Sequence, residues 1–313
     1  MDALTHGIIG IAVGGLSGQP LSYDNPIYLA ALLGSQAPDF DILAMMRGGL
    51  SYLRQHRAAS HSLPGIIVWA TVIAAVLHYF IQTATFASLL SWALAGALSH
   101  IVMDYFNTHG AALFWPLIPQ RLSCNLLNVF DPFLVLILLS AYGTDLPRQQ
   151  VSLVSFIAMA GYLLLRVALK YRTTHCLRRR FAAFKIKRLL VMPSLEKFFY
   201  WDFIVETTGH YVIGRISSLS QALRVSSILP KQLYSPIMEH AQDTMLGKFF
   251  TIFSPFTYFD LKQQGGSTKV EIYDLRYFQQ NNFIHRGMMV YDDNNNLCDS
   301  YVQSYGRKLK IPS

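Results

Sequence analysis

Long apolar runs fill the first 170 positions and then stop. "GIIVWATVIAAVLHYFI" (65–81) and "FASLLSWALAGALS" (86–99) are the clearest. A membrane-spanning helix needs about 20 largely apolar residues. Segments 64–83, 86–106 and 151–170 meet that length, 130–143 is short, and 4–18 and 27–36 are marginal, so the expected count is six. In the first of these, Gly10, Gly14 and Gly18 recur every four residues, a spacing that lets helix backbones approach closely in lipid. Beyond position 189 the pattern becomes aromatic and β-branched, as in "KVEIYDLRYF" (269–278), with turn signals at "QQGGS" and "DDNNN". These stretches predict strands, with one helix near 233–247. The expected architecture is mainly α: a multi-pass transmembrane helical bundle over 1–170, a basic juxtamembrane linker over 171–188, and a C-terminal soluble, mostly β (α+β) domain over 189–313.

Composition supports the membrane assignment. Of 313 residues, 52% are hydrophobic and 14% charged, with mean hydropathy +0.30, whereas soluble domains carry about 25% charged residues. Charge then sets orientation. From Arg166 to Arg188 nine Lys and Arg residues occur without an acidic one, which marks that end as cytoplasmic. Six crossings put loops 37–63 and 107–129 on the same side, and these hold Arg47, Arg54, Arg57 and Arg121, against Arg148 alone outside. The basic cluster abuts a helix end, so membrane lipids are the expected partner and nucleic acid is not. The first residues lack a basic stretch and include Asp2, so a cleaved signal peptide is not expected. Cys124, Cys176 and Cys298 are far apart and form no thiolate metal motif.

Against this apolar background, "HRAASHS" (56–62) is conspicuous. The pass count brings further ionisable groups to the same membrane face: His6 in "LTHG", Asp39 and Asp41 in "APDFD", and His100 and Asp104 in "SHIVMDYF". His100 and Asp104 are four apart and project from one helix face, so both can meet one cation. Imidazoles and carboxylates without thiolate favour a divalent metal, zinc first, with manganese, iron or nickel as alternatives. The candidate ligands are His6, Asp39, His56, His61, His100 and Asp104. His56 could instead orient a ligand or sit in a solvated loop. Arg57 cannot bind a metal; it would clamp a phosphate or serve as one more inside-positive charge. Asp41 could take a proton, support Asp39, or simply end a helix. His109 lies at a turn outside the expected inner set, while His78, His210, His240 and His285 are isolated.

The ordered set "TH" (5–6), "PDFD" (38–41), "HRAASHS" (56–62), "SHIVMDYFNTHG" (99–110), "WP" (115–116) and "FDP" (130–132) resembles the LexA-regulated, membrane-bound metal-dependent hydrolase family, the YdjM and YbcI type. The likeness covers about residues 1–170. It implies a several-pass protein of the bacterial inner membrane with a bound divalent metal and hydrolase activity. The histidine and aspartate order also resembles that of zinc-dependent phospholipase C and related zinc nucleases, which puts His6, Asp39, His61, His100 and Asp104 in the ligand set. A later His-x-x-x-Glu/Asp pair is missing from the membrane part, so one or two ions are expected rather than three. Three functions follow from these residues. The first is phosphoester hydrolysis, with a lipid as one substrate, in which Asp39 or Asp41 accepts a proton and Arg57 holds developing charge. The second is a metal site for stability or transport, and the third is metal-free polar packing between helices.

Overall fold

A computed structural model describes residues 1–40, 59–118, 120–232, 235–264, 267–304 and 307–311. The chain divides into two compact units, Met1–Tyr171 and Arg172–Ser313.

The first unit is helical: α1 (Ala3–Gly15), α2 (Pro26–Gln36), α3 (Leu63–Phe80), α4 (Phe86–Phe106), α5 (Pro132–Ser140) and the larger part of α6 (Arg148–Arg180), whose residues past Tyr171 belong to the second unit. Among the described residues, α3, α4 and α6 are long and apolar enough to cross a membrane, while α1 and α5 are apolar but shorter. Each start has a local cause. Asp2, Asn25, Ser62, Thr85 and Asp131 cap the first turns of α1 to α5 with side-chain oxygens, and Pro occupies the first turn of α2, α3 and α5. Helix α6 runs on through the basic stretch to Arg180, because 162–180 contains neither Gly nor Pro and its last turn carries Arg178, Arg179 and Arg180 against the negative end of the helix dipole.

Helices α1, α2 and α4 pack through small residues. A Cβ on Gly10 would fall 2.2 Å from Ser35 Oγ, one on Gly34 would fall 2.1 Å from the Ala93 carbonyl, and one on Gly96 would fall 2.1 Å from the Ala31 carbonyl. Backbone contact this close explains the four-residue glycine spacing in part. Gly14 joins it, packed on Tyr28, whereas Gly18 lies beyond α1 with φ +73° and makes a turn instead.

Among the described residues, the second unit contains two larger antiparallel sheets and a two-stranded hairpin. Strands β1 (Arg188–Pro193), β2 (Tyr200–Glu206), β3 (His210–Ser217) and β4 (Leu223–Pro230) form a four-stranded meander in sequence order. After two short helices, α7 (Pro236–Asp243) and α8 (Met245–Phe253), come β5 (Thr257–Gln264), β6 (Ser267–Asp274), the small hairpin β7 (Phe278–Gln279) and β8 (Asn282–Phe283), then β9 (His285–Tyr291), β10 (Leu297–Ser304) and β11 (Arg307–Lys310). The larger sheet has the order β11-β10-β9-β6-β5. Ile204 and Ile213 of the meander pack on Phe256, Tyr258 and Leu275. Two helices stand where one was expected, because Thr244 adopts extended ψ 163° and caps α8 through its hydroxyl, which ends α7. Leu246 and Phe250, four apart on α8, reach the larger sheet at Gly287, where a Cβ would meet the Phe250 ring at 2.9 Å.

Candidate metal centre

Three elements of the helical unit deliver buried imidazoles and carboxylates to one point. His100 and Asp104 lie one turn apart in α4, and both are fully buried. His61 directly precedes Ser62, whose hydroxyl takes the Gly65 N–H to start α3. Asp39 follows α2, in the turn of 37–40.

Asp39 Oδ1, His61 Nε2, His100 Nε2 and Asp104 Oδ2 face one another. His61 Nε2 is 3.2 Å from His100 Nε2, 3.3 Å from Asp39 and 3.4 Å from Asp104. His100 Nε2 is 3.6 Å from Asp39 and 3.7 Å from Asp104. Four donors ~2.0–2.2 Å from a common centre stand about 3.3–3.6 Å apart in a tetrahedron. These five edges, 3.2–3.7 Å, lie close to that spacing, so the four residues form a group that could hold a metal ion.

Hydrogen bonding sets which nitrogens face inward. His100 Nδ1 lies 2.7 Å from the Ser35 carbonyl, which can only accept, so Nδ1 carries the proton and Nε2 presents its lone pair to the centre. His61 Nδ1 meets Ser60 Oγ at 3.0 Å. Burial alone would raise the Asp39 carboxyl, but its bond with His61 and the neighbouring His100 outweigh this and hold it well below the ordinary carboxylate range. Its side chain is 26% exposed, whereas His61, His100 and Asp104 are sealed.

His6 comes to the same place from α1, on the other side of Asp104. Its ring stacks on that of His100 at 3.6 Å, and its Nε2 is 3.4 Å from Asp104 Oδ1, the oxygen turned away from the four-donor group. The Met1 amine contacts that same oxygen and lies 2.8 Å from His6 Nε2. Asp104 therefore faces donors through both oxygens, and a cation already sits against the second. His6 Nδ1 is buried with no hydrogen-bond partner among the described residues.

The comparisons with known proteins agree with this half of the chain. A family model described as YdjM inner membrane protein matches residues 1–173. The chain belongs to the YdjM inner membrane protein family. Residues 236–310, covering α7 to β11, match a second model, the YfhP C-terminal alpha/beta plait domain. The uncharacterized protein YfhP of Bacillus subtilis (strain 168) is 29% identical over 290 residues, 88% of this chain and 87% of that one. No solved structure matches.

In this YdjM-family chain, Asp39, His61, His100 and Asp104 converge, and His6 joins through Asp104. Asp41, His56 and Arg57 lie outside the described residues. His109 stands apart from the four-donor group. Two supports escaped the sequence reading. Asn107 donates from Nδ2 to Asp104 Oδ1 at 2.8 Å while its own Oδ1 accepts the N–H groups of His109 and Gly110. "DYFNTHG" thus holds its aspartate from three residues downstream, and the Asp-x-x-Asn spacing was the available signal. The loop beyond is pinned by α6: Tyr162 OH donates to Asp131, Arg166 Nε to the Leu126 carbonyl at 3.0 Å, and Lys170 Nζ to the carbonyls of Cys124 and Asn125. These three residues recur every four positions along one helix face. Arg166 is buried, so it serves packing as well as charge bias.

Proposed function

We propose that this chain is a multi-pass membrane hydrolase of the bacterial inner membrane that cleaves a phosphoester, a phospholipid being one candidate, at the cytoplasmic face. The observation that carries this is the near-tetrahedral spacing of four donors, three of them buried and Asp39 part-exposed, with Asp104 shared toward His6. Two carboxylates and neutral imidazoles suit zinc by donor chemistry. A divalent ion held there would polarise a phosphoryl oxygen and make water acidic enough to attack near neutral pH.

The chain's own residues do the remaining work. His100, locked by Ser35, keeps its lone pair aimed at the centre. Asp104, steadied by Asn107 at Oδ1, turns Oδ2 to the four-donor group. Asp39 is the part-exposed donor and so marks the approach for substrate. Asp41 is assigned proton transfer and Arg57 the clamp on the phosphoryl group, on the chemistry of their side chains. The nine basic residues from 166 to 188 support a cytoplasmic sheet unit, and the three long apolar helices support several passes. Membrane lipids reach such a site laterally.

One observation favours a second function, a structural or transport metal site: four protein donors complete a tetrahedron, and structural zinc sites are closed in this way. Purified protein loaded with zinc and offered phospholipids, nucleotides and simple phosphoesters separates the two. Hydrolysis by wild type, abolished in Asp41→Ala and Arg57→Ala with metal retained, supports the enzyme. Full metal occupancy with no turnover of any phosphoester sinks it.

A further inference from the structure

The sheet unit has a cleft of its own. It encloses about 700 Å³ between the meander and the segment 275–281, a size typical of small-molecule sites. Asp202 of β2, Arg215 of β3 and Arg224 of β4 are direct cross-strand neighbours, so they form one row on one face, and all three line the cleft. Arg215 is satisfied: its Nε donates to Asp202 at 2.7 Å and its Nη1 to Glu196 at 2.9 Å. Arg224, directly opposite Arg215, makes no ion pair among the described residues. Like charges placed opposite each other across a sheet are destabilising. Lys197, also on the rim, has its Nζ 5.3 Å from the Tyr200 ring centre and likewise makes no ion pair among the described residues. On the facing wall, Arg276 is neutralised by Asp274 at 2.7 Å.

Local irregularities gather at the same place. The register between β3 and β4 shifts at Ile213/Gly214, which leaves Ser226 as an extra residue turned to the cleft. Gln280 and Asn281, which join β7 to β8, both have positive φ, 46° and 61°, as a two-residue hairpin turn requires, and both line it. Phe278, Met192 and Val225 supply apolar surface beside the cations.

We propose that this cleft binds a small phosphate ester with an apolar or aromatic body. Its phosphate bridges Arg224 and Lys197, which make no ion pair among the described residues, and its body lies on Phe278 and Met192. A phosphomonoester carries between one and two negative charges at neutral pH, which answers two cations better than a single carboxylate does.

Calorimetry on the detergent-purified full chain tests this with AMP, inorganic phosphate and adenosine as probes. AMP should bind, inorganic phosphate more weakly, and adenosine not detectably. Arg224→Gln should weaken AMP at least about tenfold, roughly the loss of one charge-assisted contact, and Lys197→Gln should act in the same direction. Arg224 is exposed, so its variant should fold. His100→Ala should leave AMP binding intact, which separates this cleft from the metal centre. No AMP binding by wild type, undiminished binding by Arg224→Gln, or binding lost in His100→Ala would overturn the proposal.

Discussion

The two units handle buried charge in opposite ways. In the sheet unit most buried charges find their counterparts nearby: Arg276 lies on Asp274, and Glu206 takes both Arg188 and Lys231. In the helical unit two carboxylates and three imidazoles crowd together instead, met by the Met1 amine at one edge. A self-neutralised pair is an ordinary means of stabilising a fold. A largely buried cluster rich in lone pairs needs a cation, and its cost is tolerated where it serves a site.

This contrast can be broken from either side. The largest effect should come from Asp274→Ala, which strands a buried guanidinium and also removes the acceptor of Ser254 Oγ at 2.7 Å. The expected loss is about 3–5 kcal/mol from the sheet unit, read by denaturant unfolding with the metal content unchanged. Next is Gly96→Ala, whose new Cβ would collide with the Ala31 carbonyl. It should cost the helical unit about 1–3 kcal/mol by overpacking and leave the sheet unit's midpoint in place. Asn107→Ala should weaken metal affinity about 10–100-fold by freeing Asp104, measured by competition with a chelator, while the fold persists. The smallest effect concerns acid. Burial opposes ionisation of Glu206, but its bonds to Lys231 and Arg188 prevail and hold the carboxyl below its ordinary value. Its contribution is therefore present above about pH 4.5 and disappears as pH falls through the lowered value. Wild type should exceed Glu206→Gln by less than about 1 kcal/mol at neutral pH, and the gap should close in acid.

Much of the site was readable from residue spacing, for reasons tied to local geometry. His100 and Asp104 share a helix face because they are four apart, and Gly10 allows close helix contact because it lacks a side chain. Those facts belong to one element each. Partnerships between elements were harder to read. The Ser35 carbonyl that fixes the His100 tautomer is backbone 65 positions away, and any residue could have supplied it. Arg166 and Lys170 looked like topology charges, since composition cannot distinguish a lysine in lipid headgroups from one capping the carbonyls of Cys124 and Asn125. The extra helix in the sheet unit hinged on Thr244, whose hydroxyl can cap a new helix as well as decorate a continuing one. The cleft around Arg224 emerged only from strand register, which puts two arginines nine positions apart directly opposite each other.

Elemental analysis of the detergent-purified protein, wild type beside His100→Ala, bears most directly on the gathering of donors from α2, α3 and α4 around one cation. Wild type should carry one or two equivalents of a divalent transition metal per chain, and the variant less than about a tenth of that, because one of four ligands and its locked lone pair are gone. Metal-free wild type, or a variant that holds as much metal as wild type, would contradict it.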